Sequence, residues 1–238
     1  MKLTSLLFTS LLLFCGATLS AQTADEIIAK YLEVTGGKEK ISQLTSMYME
    51  GTIDVMGNSG PIKLTTLNGK GYKNEIEIQG SVIVSCFNEK EGWSVNPFMG
   101  GSSPETMPEA QYKMGREQIY IGAPFVFYAD KGYKAELLGN ESVGDVNAWK
   151  IKMTSPDNTA VLYFFDPATG YLIRGIQQME MQGSTVDNVM TFSDYKDVAG
   201  FPQPHKMNMN MGGQFEMTMT ISKIEYNLSV DEAIFAKP

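Results

Sequence analysis

The stretch HKMNMNMGGQFEMTMTISKIEY, residues 205–226, decides the fold. Successive side chains of a β-strand point to opposite faces. Read with that period, Met207, Met209 and Met211 share one face of a strand, with Lys206, Asn208 and Asn210 on the other. Met217 and Met219 share a face of the next strand, and Thr218 and Thr220 lie opposite. Met179 and Met181 repeat the pattern upstream around Glu180. One face is therefore apolar and the other wet, as in an antiparallel sheet with one solvated side. A core that needed only rigidity would use Val, Ile and Leu here, because methionine loses more rotamer freedom when fixed. Methionine in this number suits a face that refits different apolar ligands.

Working outward, strands follow one another from about residue 133 to the end. Turn chemistry separates them at Ser155-Pro156-Asp157-Asn158 and at Asp166-Pro167-Ala168-Thr169-Gly170. The first half carries the same signals: strands over 47–55, 62–67, 72–78 and 81–87, with Asn68-Gly69 as a tight-turn dipeptide. About a dozen strands joined by turns predict an antiparallel meander. Two helical stretches interrupt it. Residues 24–35, ADEIIAKYLEVT, have helical apolar spacing, and a short helix over 38–44 follows Gly36-Gly37. Residues 109–128 read as mostly helical, broken at Gly122 and Pro124, with a tail at Phe125–Tyr128 too apolar to lie in water. Between them, PFMGGSSPETMP at 97–108 reads as a mobile loop. The predicted fold class is α+β: a large curved antiparallel sheet, a half-open barrel, wrapped around a few helices.

The first residues describe a secretory leader. Met-Lys is followed by an apolar run from Leu6 to Phe14 and small residues up to Ala21, so cleavage is placed after Ala21. The run is too short to span a bilayer, and an integral membrane protein is not expected. Cys15 raises a lipoprotein alternative, but Phe14 stands where a small residue is needed. Residues 22–238 are expected to form a single domain. They hold 18 basic and 27 acidic residues, a net charge of −9. An acidic chain without a Lys/Arg cluster repels phosphate backbones, which excludes nucleic acid as a partner. Cys86 remains alone in the apolar run VIVSCF at 82–87, so no intrachain disulfide is expected and the thiol reads as a buried hydrophobe.

Enzyme signatures are missing. A single histidine, His205, rules out HExxH and histidine-pair zinc sites, and no GxSxG elbow, Walker loop or GxGxxG occurs. No enzymatic role and no cofactor are expected. His205, Met207, Met209 and Met211 alternate on one face, and thioethers with imidazole could hold Cu(I). A cavity lining explains the same pattern without a metal.

Several stretches in order resemble the LolA/LolB-like superfamily of outer-membrane lipoprotein-sorting proteins. These are the helix, Gly-Gly-Lys, short-helix start over 28–44; YKAELLGNESVGDVNAWKIK at 133–152; FFDPATGYLIR at 164–174; TFSDYK at 191–196 with Val198, Gly200 and Pro202; and the close from Ile224 to Pro238. The resemblance implies a curved half-open sheet around helices, an apolar cavity that holds acyl chains, and a carrier in the periplasm rather than outside the cell. The sorting carrier of that family holds its lid with an arginine; Arg116 and Arg174 are the only arginines here, and neither is assigned that role.

The expected function is a periplasmic carrier or sensor of lipid or lipoprotein acyl chains. The expected lining is Trp93, Phe127, Met179, Met181, Met207, Met209, Met211, Met217 and Met219. The 97–108 loop and Phe125–Tyr128 would act as lid and plug. The alternatives are an envelope assembly module that contacts another protein, and a Cu(I)-binding protein using the His205–Met211 face.

Overall fold

The computed structural model describes residues 22–181 and 184–238; the leader expectation falls outside them, as do the side chains of Glu180 and Met181. Helix α1 (Ala24–Val34) begins with a capping box, in which Thr23 and Glu26 satisfy each other's backbone N–H groups. Helix α2 (Lys38–Ser42) follows. The first wing of the sheet then runs through β1 (Ser46–Val55), β2 (Asn58–Leu67), β3 (Gly71–Ile78), β4 (Ser81–Asn88), β5 (Gly92–Asn96) and β6 (Gly101–Thr106). A crossover holds helix α3 (Glu109–Gly115) and a tight 3-10 turn at Arg116–Ile119. The second wing comprises β7 (Lys134–Val143), β8 (Val146–Thr154), β9 (Ala160–Phe165), β10 (Leu172–Met181), β11 (Ser184–Val198), β12 (Phe201–Met211) and β13 (Phe215–Tyr226).

All thirteen strands form one antiparallel sheet, open at β6 and β7, with β1 paired to β13 at its centre. This is the α+β architecture expected from the turn spacing. Ladder irregularities at Glu50/Gly51, Ser94/Asn96, Leu137/Gly139 and Leu172/Arg174 bend individual strands and add twist, which lets so broad a sheet curl. Gly51 is forced by such a site: a Cβ there would stand 2.1 Å from the Thr220 carbonyl oxygen.

Two segments depart from their expected form. Residues 97–108 do not form a loop throughout: Pro97–Met99 is a 3-10 turn and 101–106 is edge strand β6. Pro104 hides this strand from a sequence reading, yet an edge strand tolerates proline because one row of its N–H groups needs no partner. The 109–128 helix is also shorter than expected. It ends within two turns, and 120–132 is a string of turns pinned by Asn68, whose Oδ1 accepts from the Ile121 N–H at 3.1 Å.

One face of the sheet, here called inner, carries the helices. Ile27, Ile28, Leu32, Ile41, Phe125 and Val126 pack there against Ile151, Met153, Phe165 and Leu172 of the second wing. The outer face is covered locally by the C-terminal 3-10 turn Glu232–Phe235, whose Phe235 ring seals Cys86 and Trp93. Cys86 is fully buried, and burial pushes its thiol up to about 12. A maleimide added without denaturant is therefore expected to leave Cys86 unmodified while labelling the unfolded chain at once. Rapid native labelling would show that the tail does not hold this seal.

Candidate functional site

Register carries the methionine alternation from strand to strand. Phe192, Met207, Met219, Ile53 and Gly60 stand side by side in one row across β11, β12, β13, β1 and β2. The neighbouring row runs Tyr163, Gly175, Met190, Met209, Met217 and Val55. A third runs Val161, Gln177, Asn188, Met211 and Phe215. Directly opposed side chains lie about 5 Å apart at Cβ. Met190, Met207, Met209, Met217 and Met219 thus form a contiguous block on the inner face, and all five are half-buried. Met207, Met217 and Met219 rest on Ile53, Ile62 and Ile221 in a cluster made only of strand residues; no helix contributes to it. Among the described residues, the helices that roof the second wing add no side chain to this cluster, and its methionines stay half-exposed.

Two cavities flank the block. The larger, about 490 Å³, lies between α3 with its following turn and the inner face of β8–β10. Met153, Val161, Tyr163 and Gln177 make its floor, and Gln177 and Tyr163 continue directly into the rows of Asn188 and Met190. Lys113, Arg116, Glu117 and Asp157 stand around its upper edge. Lys113 pairs with Glu109 at 2.7 Å and Glu117 with Lys131 at 2.9 Å, whereas Arg116 reaches Asp157 and Glu117 only at 3.6 and 3.9 Å. The Ser155 hydroxyl, and behind it Arg116, hold the Asp157 carboxyl below its usual range. Tyr133, also on the wall, is pushed up to about 12 by burial, helped by Glu117. The second cavity, about 370 Å³, lies at the far end of the face, where Ile83, Ser85, Ser94 and Asn96 meet Met99 and Gln111.

The predicted lining residues separate accordingly. Met207, Met209, Met211, Met217 and Met219 come together on the inner face, and Met179 joins them one register step beyond Gln177. The backbone of Met181 continues that strand, but its side chain lies outside the described residues. Phe127 packs with the helix-covered core and meets Tyr120 at 6.3 Å between ring centres. Trp93 is a correction: it aligns with Cys86, Lys73, Thr65 and Tyr48, the outer row. There it is 3 % exposed and donates its indole N–H to the Phe235 carbonyl at 3.1 Å. Alternation places residues on a common face within a strand, but it does not say which face of a distant strand matches. Sequence reasoning missed Met190 and Phe215, whose cross-strand partners are methionines, and the cavity floor. Met190-Thr191-Phe192 has the i, i+2 apolar spacing and could have signalled the first of these.

His205 is buried, with Nδ1 at 3.0 Å from the Gln203 carbonyl oxygen. Along one strand the His205–Met211 set is strung out with about 7 Å between successive Cα atoms. The nearest neighbours of Met207 and Met209 across the ladder are instead Met219 and Met217. Among the described residues, no group of three or more His, Cys, Asp or Glu side chains converges as a metal site.

No protein-family model and no curated protein sequence matches the chain. Solved structures do. A LolA superfamily protein from Nitrosomonas europaea shares 15% identity, with 91% of this chain and 99% of that one aligned at a TM-score of 0.60. An outer-membrane lipoprotein-sorting protein domain from Vibrio parahaemolyticus shares 14%, covering 88% and 97% at 0.59. A DUF1329 family protein from Desulfovibrio piger shares 14%, covering 88% and 97% at 0.58. Identity this low speaks to architecture alone, and on that ground this chain has the LolA-like fold.

Proposed function

We propose that the chain is a non-enzymatic periplasmic carrier that holds a lipid-like acyl ligand along the inner face of its sheet. The observation that carries this reading is the contiguous block of half-buried methionines on the inner face, with a cavity to either side along the sheet. Adjoining thioethers left half-exposed on the helix-bearing side offer an apolar ligand a surface to cover. Methionine's unbranched side chain refits chains of different length or branching. Each buried methylene contributes about 0.8 kcal/mol. A chain of roughly a dozen methylenes therefore gains on the order of 10 kcal/mol, and an association cost of about 4 kcal/mol leaves roughly 6 kcal/mol, an affinity in the tens of micromolar. Lipoprotein sorting at the outer membrane, the role that the name of the Vibrio neighbour gives for that protein, fits the same geometry.

The test is a titration of delipidated protein with a fluorescent fatty acid, alongside native mass spectrometry of the protein as purified. Saturable micromolar binding is expected. No binding of any acyl ligand would move the assignment to an envelope interaction module.

A further inference from the structure

The sheet leaves one rim bristling with apolar side chains. Register places the turns at 56–57, 79–80, 97–100, 156–158 and 212–213 along the same edge of the half-barrel. The Gln79 amide bonds Asn58 across two of them at 2.9 Å. On this rim Met56 is 64 % exposed, Phe98 54 %, Met99 85 % and Val82 45 %. Met114, 50 % exposed on α3, faces the 156–158 turn across the larger cavity. Two of these side chains sit at the mouths of the ligand spaces: Met99 at the 370 Å³ cavity and Met114 at the 490 Å³ cavity.

We propose that this rim, led by Phe98 and Met99, docks on the surface of a lipid bilayer and opens the inner face toward it; the proposal rests on the carrier reading above. Three observations select a bilayer. First, residues 92–104, GWSVNPFMGGSSP, hold no charged side chain in a chain with 27 acidic residues. Nothing charged on that tip must lose its hydration on insertion. Second, side chains of this size offer roughly 200 Å² each when free. Five partly exposed ones present on the order of 500 Å². That is short of the ~800 Å² per partner of a stable protein interface. Third, the apolar groups are spread over the 56–57 turn, the 97–99 turn, the start of β4 and helix α3 rather than gathered as one flat patch. Shallow insertion of about 5–10 Å at the headgroup level accepts such a crown, whereas a protein surface would need matching pockets. Because the chain is strongly acidic, the preferred surface is zwitterionic, and insertion rather than charge attraction holds it there.

The experiment is flotation of the purified protein with phosphatidylcholine vesicles, with and without phosphatidylglycerol, at low and at 1 M salt. The native protein is expected to float with phosphatidylcholine alone and to keep doing so in high salt. Replacing Phe98→Ser together with Met56→Ser, which leaves the net charge unchanged and touches the lining of neither cavity, should lower the bound fraction about tenfold. Binding of a soluble fluorescent fatty acid by the same variant should be unaffected, which also shows that it is folded. Absence of flotation in the native protein, a demand for anionic lipid, or flotation unchanged in the variant would overturn the proposal. So would a native dimer that the same substitutions dissociate. Acyl binding without flotation overturns the docking alone, and flotation without acyl binding overturns the carrier reading.

Discussion

Phe235→Ala is expected to destabilise the protein by about 3–5 kcal/mol, the range for removing a buried aromatic ring. The ring is 1 % exposed and seals the outer face of the first wing. It lies flat against Gly71, where even a Cβ would approach within 2.3 Å of the ring. The carbonyl of the same residue accepts from Trp93 Nε1 and Asn88 Nδ2, each at 3.1 Å. Loss of the ring therefore opens a cavity and loosens the carbonyl that satisfies a buried indole, and the two costs add in one direction. Thermal melting should show a drop on the order of 10 °C for a domain of this size. Cys86 should become reactive in the native state at the same time. A variant as stable as the native protein would mean that the C-terminal turn is an ornament on the fold.

Met209→Asp is expected to weaken binding of a fluorescent fatty acid by about a hundredfold or more. Met209 stands between Met190 and Met217 in the middle of the inner block. A carboxylate there must either lose its water under the acyl chain or hold the chain away, and a cost of ~3 kcal/mol already gives that factor. The side chain is half-buried in the free protein, so the carboxylate keeps its water when no ligand is present and the fold survives. Two controls separate the effect from general disturbance. Met209→Leu keeps the apolar surface and should bind nearly as well. Asn210→Asp adds the same charge to the exposed opposite face of the same strand and should change nothing. Binding unaffected by Met209→Asp would count against the carrier reading.

The architecture was legible because turn chemistry is local. Asn68-Gly69 and Asp166–Gly170 sit where the structure turns, with both glycines at positive φ. The Met207–Met211 alternation survives intact as one face of β12. What was not legible depends on neighbours far away in sequence. Trp93 looked like a cavity residue because aromatics line cavities, but its face is set by a ladder of four further strands and by a tail 142 residues away. The floor of the larger cavity is a matter of which strands pass beneath α3, and no local pattern in Val161, Tyr163 or Gln177 records that. Strand β6 was hidden by its Pro and Gly content, which an edge position permits. The fracture of 109–128 was signalled by Gly122 and Pro124, yet the helix stops earlier still, where Gly115 lets the Phe87 ring approach the backbone closely.

The central pairing of β1 with β13 also sets the order of events in time. Thr45 and Asn227, which meet at the end of that ladder, are 182 residues apart in sequence. Every other ladder joins strands that follow one another along the chain, so each wing can assemble by successive hairpins. The seam between the wings cannot close until the last strand has arrived, and closing so long a loop is a slow, entropically costly step. Until then each wing shows an unpaired central strand, β1 or β12, in addition to its outer edge. Such raw edges recruit other chains. The emerging polypeptide is thus most vulnerable to aggregation just before its final strand is delivered, and a chain cut before residue 215 should accumulate as sheet-rich aggregate instead of a smaller soluble fold.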